Sequence, residues 1–494
     1  MCNIYNIKGD PFSKLSAEEE LEALDSLFYK PAFYNELMEL AKNGNSRFIL
    51  GQRGDGKSSI IYKLEKDLKN QNTLPILITR YDGFPGTNNE CYFLYTIIQS
   101  LTFEIAKHLF EKRKDNNRLN KVQKAQLSLF IQAFYDPQSA PQFVELAKVI
   151  RAKKNRKILF GFINSNIRFL NKLINNAIQL TSSSLNTYLQ LNGNGTQLEN
   201  LLGEFSISDI NTINKDDIIG WGKDKLVKII YNLKEIAISL GYRSVIILFD
   251  KIDECQLVGT DVEKVAEFTA EILTDTDFLY MQNISIVFSL WSEMKNSLGS
   301  KGVRYDKFKC IDIRWDTNGL EKLIDKRLLF YSIEKKNPVC LKSLIPDEGV
   351  RNDLLILANK SPRSLISLLE YISCEDNRID IVDFSLAAVS KGAIKFCKEF
   401  DYESLLPSRL GKSTDLINWI DKVLAIKRVN FSLKEASLAL GQTLNTTQQY
   451  VDYLKKISII KDSPLPDESG KSRYDIIDPK IKYLVSRGVT SLDR

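Results

Sequence analysis

Two spacings of apolar residues alternate along the chain. Short runs rich in apolar residues occur at 47–50 (RFIL), 75–80 (PILITR), 245–249 (VIILF), 283–288 (NISIVF) and 308–314. Runs of that length suit strands covered on both faces, as in a parallel sheet between helices. Elsewhere the spacing shifts to three and four. Ile60, Ile61, Leu64 and Leu68 share one helical face, and helices are expected from about Asn89, at 223–240, at 261–275 and from Trp315 through Arg327. Strands that alternate with helices predict an α/β architecture.

Beyond Arg327 the pattern is helical. Ser361-Pro362-Arg363 opens a helix through Leu365, Leu368 and Leu369, with proline in the first turn where its missing N–H costs nothing. The segment 415–490 reads as three helices and two strands. Leu416 to Leu424 gives the first helix, and Leu433 to Leu440, after Ser432 as cap, gives the second. The third starts with Asn445 or Thr446 as cap. Strands at 457–460 and 474–477 flank a turn-rich stretch at 464–470, which reads as a wing.

The chain has 494 residues, a prior of about three domains. Hydrophobic residues make up 44% and charged residues 26%, which excludes whole-chain disorder and small disulfide scaffolds. No apolar stretch is long enough to span a bilayer, so membrane insertion is not expected. The first residues lack a basic-then-apolar secretory pattern, which points to the cytoplasm. The seven cysteines have irregular spacing and no CxxC, and are expected as reduced, buried thiols. With one histidine, His108, histidine-based metal clusters and catalytic triads are excluded; His108 reads as an ordinary polar helix residue.

The chemistry is concentrated in 51–58. Gly51, Gln52, Arg53, Gly54, Asp55, Gly56, Lys57 and Ser58 follow an apolar strand and open an amphipathic helix, the GxxxxGKS pattern in its required context. Glycines let the loop curl so that backbone N–H groups face phosphate oxygens, and the helix N-terminus adds positive potential. Lys57 is placed to reach the β and γ phosphates, Ser58 to hold Mg²⁺, and Ser59 to complete the loop. A buried strand ending in carboxylates should complete the site. Val245–Phe249 runs into Asp250-Lys251-Ile252-Asp253-Glu254. Asp250, at the strand tip, is the second metal candidate. Glu254 and Asp253 are candidates to orient water, Glu254 first because it reaches further. No NKxD guanine motif stands at the strand ends, which favours ATP.

The run hhhhhDxxDE resembles the modified Walker B motif of the NACHT and STAND group of P-loop NTPases. The layout is similar to origin-recognition-type AAA+ ATPases with a C-terminal winged helix. Bacterial relatives open with an aromatic-rich segment, and Phe28-Tyr29-Lys30-Pro31-Ala32-Phe33-Tyr34 looks like that. The likeness covers roughly 25–100 and 220–490. It implies an α/β fold: a P-loop NTPase core with a parallel sheet, a helical insertion, a helical lid and a C-terminal winged-helix domain. The corresponding divisions are 1–104 and 221–315 for the core, 105–220 for the insertion, 316–414 for the lid and 415–494 for the winged helix. The resemblance further implies a first sensor at Ser289, whose hydroxyl could equally cap the next helix, and a second sensor at Arg363. A cation from a neighbouring subunit would complete the electrostatics, with Arg304 ahead of Arg314 and Arg327.

Charge is uneven. Residues 103–175 hold fifteen Lys/Arg against five Asp/Glu, with a dense basic run at 148–157. That run fits a nucleic-acid or acidic-partner patch, a membrane-surface helix, or the solvated face of a packed hairpin. Residues 415–494 carry thirteen basic and ten acidic groups, weak for duplex DNA, although Thr447, Gln448 and Gln449 sit where a recognition helix would read bases. The expected function is an ATP- and Mg²⁺-dependent switch or motor ATPase. It would act as a homo-oligomer on a separate effector, as in antiphage defence. The alternatives are an ATP-gated DNA-binding regulator and a nucleotide-binding scaffold without turnover.

Overall fold

The computed structural model describes residues 4–81, 84, 87–134, 219–220, 222–255, 258, 261–402, 416–464 and 472–492. The basic run 148–157, a Ser/Asn/Gly-rich stretch at 182–196 that reads as a loop, and most of the wing lie outside the described residues. Five parallel strands form the main sheet: β1 Arg47–Gly51, β2 Leu74–Ile78, β3 Val245–Phe249, β4 Ile284–Trp291 and β5 Cys310–Asp312. Their spatial order is β2-β3-β4-β1-β5. The chain therefore leaves β1 for one edge of the sheet and returns through β3 and β4 before adding β5 on the other side of β1. Such a reversal opens a crevice at the C-terminal strand ends.

Side-chain alternation divides each strand between two cores. Phe48, Leu50, Ile247, Phe249, Ile286 and Phe288 face one side, and Ile49, Ile246, Leu248 and Val287 the other. On the second side lie α1 Tyr34–Lys42 and α2 Lys57–Lys69. The first side packs against α3 Asn89–Glu111, α5 Lys223–Ser239 and α6 Val262–Thr274; α4 Lys121–Phe134 leans on α3. Helix α3 runs unbroken across residue 104, with Leu101, Ile105 and Leu109 buried, so the boundary placed there falls inside a core helix. His108, near its end, is buried between Tyr242 Oη at 2.7 Å and Asp115 at 2.9 Å. It ties the root of the insertion to the end of α5.

The second core continues through α7 Thr317–Tyr331 and the lid helices α8 Glu348–Leu357, α9 Pro362–Glu375 and α10 Leu386–Glu399. Helices α9 and α10 cross closely at Gly392, where a Cβ would lie 2.6 Å from the Ile372 Cα. The C-terminal part has α11 Leu416–Ile426, α12 Leu433–Leu440, α13 Leu444–Lys456 and α14 Pro479–Ser486 around a three-stranded antiparallel sheet. Its strands are β6 Asn430–Ser432, β7 Ile460–Asp462 and β8 Arg473–Ile476. β6 and α14 were not anticipated from the sequence. Ser432 and Glu435 form a reciprocal capping box at α12, and Gly441 ends it with φ of +61°. Helix α13 starts earlier than expected, because Thr443, not Asn445 or Thr446, accepts the capping N–H of Thr446. Thr447 is then turned inward, 1% exposed, and bonds Thr443 O, so it cannot read bases; Gln448 is tied to Asp452. Of the six described cysteines, Cys91, Cys255 and Cys397 are buried and Cys374 is exposed, so burial is not general. Among the described residues no helix is long and apolar enough to cross a membrane.

Candidate functional site

Strand β1 stops at Gly51, and the chain curls back on itself before α2 begins at Lys57. Gly54 and Gly56 have φ of +88° and +86°, a region open to glycine and costly for other residues. The loop is pinned from inside. Asp55 accepts the Gln52 N–H at 2.6 Å, and the Trp315 indole donates to Asp55 O at 3.0 Å. Lys57 Nζ donates to the carbonyls of Gly51 and Gln52, each at 3.0 Å. Burial lowers the Lys57 pKa, against the pull of Asp253, Asp55, Asp250 and Glu293. An ammonium stripped of water in this way gains from phosphate oxygens. Ser58 and Ser59 line the same cavity.

Asp250 stands one residue past β3 and is 2% exposed. Its N–H donates to Ile78 O at 3.0 Å and its carbonyl accepts from Tyr81 Oη at 2.8 Å, so the backbone is fixed. Its Oδ2 has no partner among the described residues. Phe249 is in register with Phe288, which makes Ser289 the neighbour of Asp250 on the next strand, on the face that α2 covers. Ser289 lies inside β4, two residues before its end, and does not cap the following helix; its Oγ is also buried and unpartnered. Orphaned buried oxygens cost free energy unless a ligand or water satisfies them. Two such oxygens beside the phosphate loop fit a hydrated Mg²⁺ bound with a nucleotide, which needs only one or two protein oxygens. Among the described residues no three of His, Cys, Asp and Glu are grouped to hold a metal alone.

After Asp250 the chain turns at Lys251, with φ of +61°, into a short 3₁₀ turn at Ile252–Glu254. The turn sends the two acids in different directions. Asp253 is half-buried on the cavity wall, its pKa raised by burial against the pull of Lys57 and Arg53. Glu254 is 57% exposed at the mouth, 3.9 Å from Lys251.

Two distant parts of the chain close a cavity of about 380 Å³ over this loop, within the range of small-molecule sites. The N-terminus of α9 abuts the phosphate loop. Arg363 N–H donates to Gly54 O at 3.3 Å, and a Cβ on Gly54 would come within 2.7 Å of Ser361 Oγ. Arg363 itself lines the cavity and donates to Leu15 O at 3.3 Å. The segment 14–20 crosses the mouth. Glu18 accepts from Lys251 at 2.6 Å and from Tyr62 Oη at 3.1 Å, and although burial opposes it, these bonds lower its pKa. Glu20 pairs through both oxygens with Arg327, which also bonds Pro11 O and Lys14 O. Leu27, Phe28, Tyr29, Pro31, Leu323 and Ile366 give the cavity an apolar wall.

Arg327 is therefore a buried structural tie, 4% exposed, and is not free to act on a neighbour. Arg304 is exposed, bound bidentately to Asp306, and lies between β4 and β5, away from the cavity of its own chain. Arg314 is 84% exposed beside Asp312. Sequence reasoning missed the segment 14–20 and Trp315. Ser16 N–H and Oγ both donate to Glu19, and this Ser16…Glu19 spacing was a readable sign of an ordered turn ahead of the 3₁₀ helix at Glu18–Ala23.

No family model matches the chain, and no curated protein matches it in sequence. Solved structures that it is similar to include the Aeropyrum pernix ORC1 protein in complex with DNA, at 11% identity and TM-score 0.34, covering 93% of each chain. Cdc6p from Pyrobaculum aerophilum follows at 12% identity and TM-score 0.32, covering 97% of this chain and 96% of that one. The Aeropyrum pernix ORC2 protein in ADPNP–ADP complexes has 11% identity and TM-score 0.38, covering 98% and 95%. These are loose likenesses, and the chemistry of the site is read from its own residues.

Proposed function

We propose that this protein binds and hydrolyses Mg–ATP and uses the nucleotide to set the position of its lid. The observation that carries the reading is the pairing of a glycine-curled loop and Lys57 with two buried, unpartnered oxygens, Asp250 Oδ2 and Ser289 Oγ. Inward N–H groups and Lys57 grip the phosphates. Ser58 and Asp250 would hold Mg²⁺, which when bound offsets phosphate charge. Asp253 orients water: it is half-buried near Lys57, and a raised pKa makes a carboxylate a stronger base. This favours Asp253 over Glu254 for that role. Ser289 is assigned to contact the γ-phosphate or the water, and Arg363 to sense the γ-phosphate from the lid. The apolar wall suits a purine.

Nucleotide binding would be felt at α9 and at 14–20, since both touch the site. A switch of this kind acts on something else, and we assign it a homo-oligomeric state and a separate effector, with Arg304 reaching a neighbour's nucleotide. Antiphage defence is one setting for such a switch. A winged-helix reading of the C-terminal module has the order of its helices and strands in support. Its recognition helix, with Thr447 buried and Gln448 engaged, is better suited to protein contacts than to bases.

Phosphate release from Mg–ATP, compared with Mg–GTP, tests the reading. Turnover of ATP should fall by more than about 100-fold in Lys57→Ala. Equal turnover in the variant and the wild type would exclude this site.

A further inference from the structure

Most cations around the cavity are already engaged. Lys57 bonds two carbonyls, Lys251 pairs with Glu18, Arg327 with Glu20, and Arg363 bonds Leu15 O. Arg53 differs. It lies in the phosphate loop itself, between Gln52 and Gly54, and lines the cavity. No carboxylate or hydrogen-bond acceptor pairs with it among the described residues. Its guanidinium instead sits over the Trp291 ring, 5.8 Å from the centroid. Stacking on an aromatic face orients a guanidinium without neutralising it. Trp291 ends β4, two residues beyond Ser289, and is itself buried with its indole N–H unpartnered. The other group that feels Arg53 is Asp253, the carboxylate assigned to the water.

We infer that Arg53 is a catalytic cation supplied in cis, held by Trp291 against the γ-phosphate. The inference rests on the proposed ATP hydrolysis and adds to it a residue of the same subunit. In the reaction the oxygen of water bonds to the γ phosphorus while the bond to the β–γ bridging oxygen breaks, releasing ADP and phosphate. The proton of the water leaves through Asp253 to solvent. Negative charge grows on the bridging oxygen as that bond breaks. A pre-oriented, unpaired guanidinium stabilises it more than it stabilises bound ATP. Arg53 would supply this charge within the subunit, beside the cation that Arg304 brings from a neighbour.

The experiment uses the full chain. Steady-state turnover and Mg–ATP affinity are measured for wild type, Arg53→Ala, Arg53→Lys, Trp291→Phe and Trp291→Leu. Arg53→Ala is expected to lose about 100-fold or more in kcat, with affinity changed by only a few-fold. Arg53→Lys should recover part of the loss, and Trp291→Phe should lose less than Trp291→Leu. Retention of Mg–ADP with aluminium fluoride, a mimic of the transferring phosphoryl group, should drop in Arg53→Ala and gives a second readout. Arg53→Ala is then mixed with Lys57→Ala. A cation acting in cis leaves the mixture inactive, whereas one acting across subunits restores turnover. Unchanged kcat and retention in Arg53→Ala, or restored turnover in the mixture, would overturn the inference while leaving ATP hydrolysis intact. Wild type that binds no nucleotide would remove the proposed function itself, a distinct result.

Discussion

The two walls of the cavity over the 51–58 loop are built in different ways. The loop wall is largely local: the bonds within Gly51 to Ser58 span three to six residues, and Trp315 and Arg363 each add one long-range bond, to Asp55 O and Gly54 O. The opposite wall is assembled from afar. Arg327 reaches Glu20 across 307 positions and Pro11 across 316, and Arg363 reaches Leu15 across 348. A distant wall exists only while the lid and the N-terminal segment stay docked. On the proposed function, the first wall would grip phosphate and the second would set access to the cavity.

The largest effect is expected in the distant wall. Arg327→Ala leaves Glu20 buried without its partner and should lower stability by about 3–5 kcal/mol in denaturant titration. Replacing the pair together, Arg327→Met with Glu20→Leu, should return much of that loss. A single-variant loss below about 1 kcal/mol would show that the tie does not hold the walls together.

The next effect separates grip from stability. Asp253→Asn should cut turnover by about 100-fold, in the range of a lost general base, without lowering the melting temperature. Burial raises the Asp253 pKa, so wild-type turnover should fall as pH drops through a value above the ordinary one for an aspartate. The variant should lack that acid limb. If Glu254→Gln removes the limb instead, Glu254 is the group that orients water.

Smaller effects follow from packing and titration. Gly392→Ala would press a methyl into the Ile372 backbone and should cost about 1–3 kcal/mol by forcing α9 from α10. Because α9 meets Gly54, the same variant should also weaken nucleotide binding, whereas a purely local phosphate wall would not respond. Burial pushes the Asp55 carboxyl up to about 6. The fold therefore favours its protonated form. Stability linked to Asp55 is full below pH about 4 and is lost as pH rises through about 6, on the order of 1 kcal/mol after solvent screening. Asp55→Asn keeps an oxygen for Gln52 N–H and should flatten that slope, as read by melting temperature against pH.

The contrast between the walls also explains what could be read from sequence. The phosphate loop, its helix and the β3 strand with Asp250 are local patterns, and each forms where the apolar spacing places it. Ser289 was implied by resemblance alone, and the strand register, with Phe249 beside Phe288, is what brings it next to Asp250. The proposed preference for Asp253 over Glu254 rests on the turn at the left-handed Lys251, which no side-chain count reveals. Arg327 reads as one more helix-face arginine until the fold brings Glu20 and Pro11 O to it. Thr447 was taken for an outward residue because the cap was placed at Asn445 or Thr446, and starting the helix after Thr443 rotates its inner face.

The central claim is that the 51–58 loop and the tip of β3 jointly hold a magnesium-bound triphosphate. Calorimetric titration with a slowly hydrolysed ATP analogue, with and without Mg²⁺, tests it most directly. The account predicts binding to wild type that is strengthened by Mg²⁺, binding to Asp250→Ala that no longer responds to the metal, and none to Lys57→Ala. Equal, metal-enhanced binding in all three proteins would contradict it.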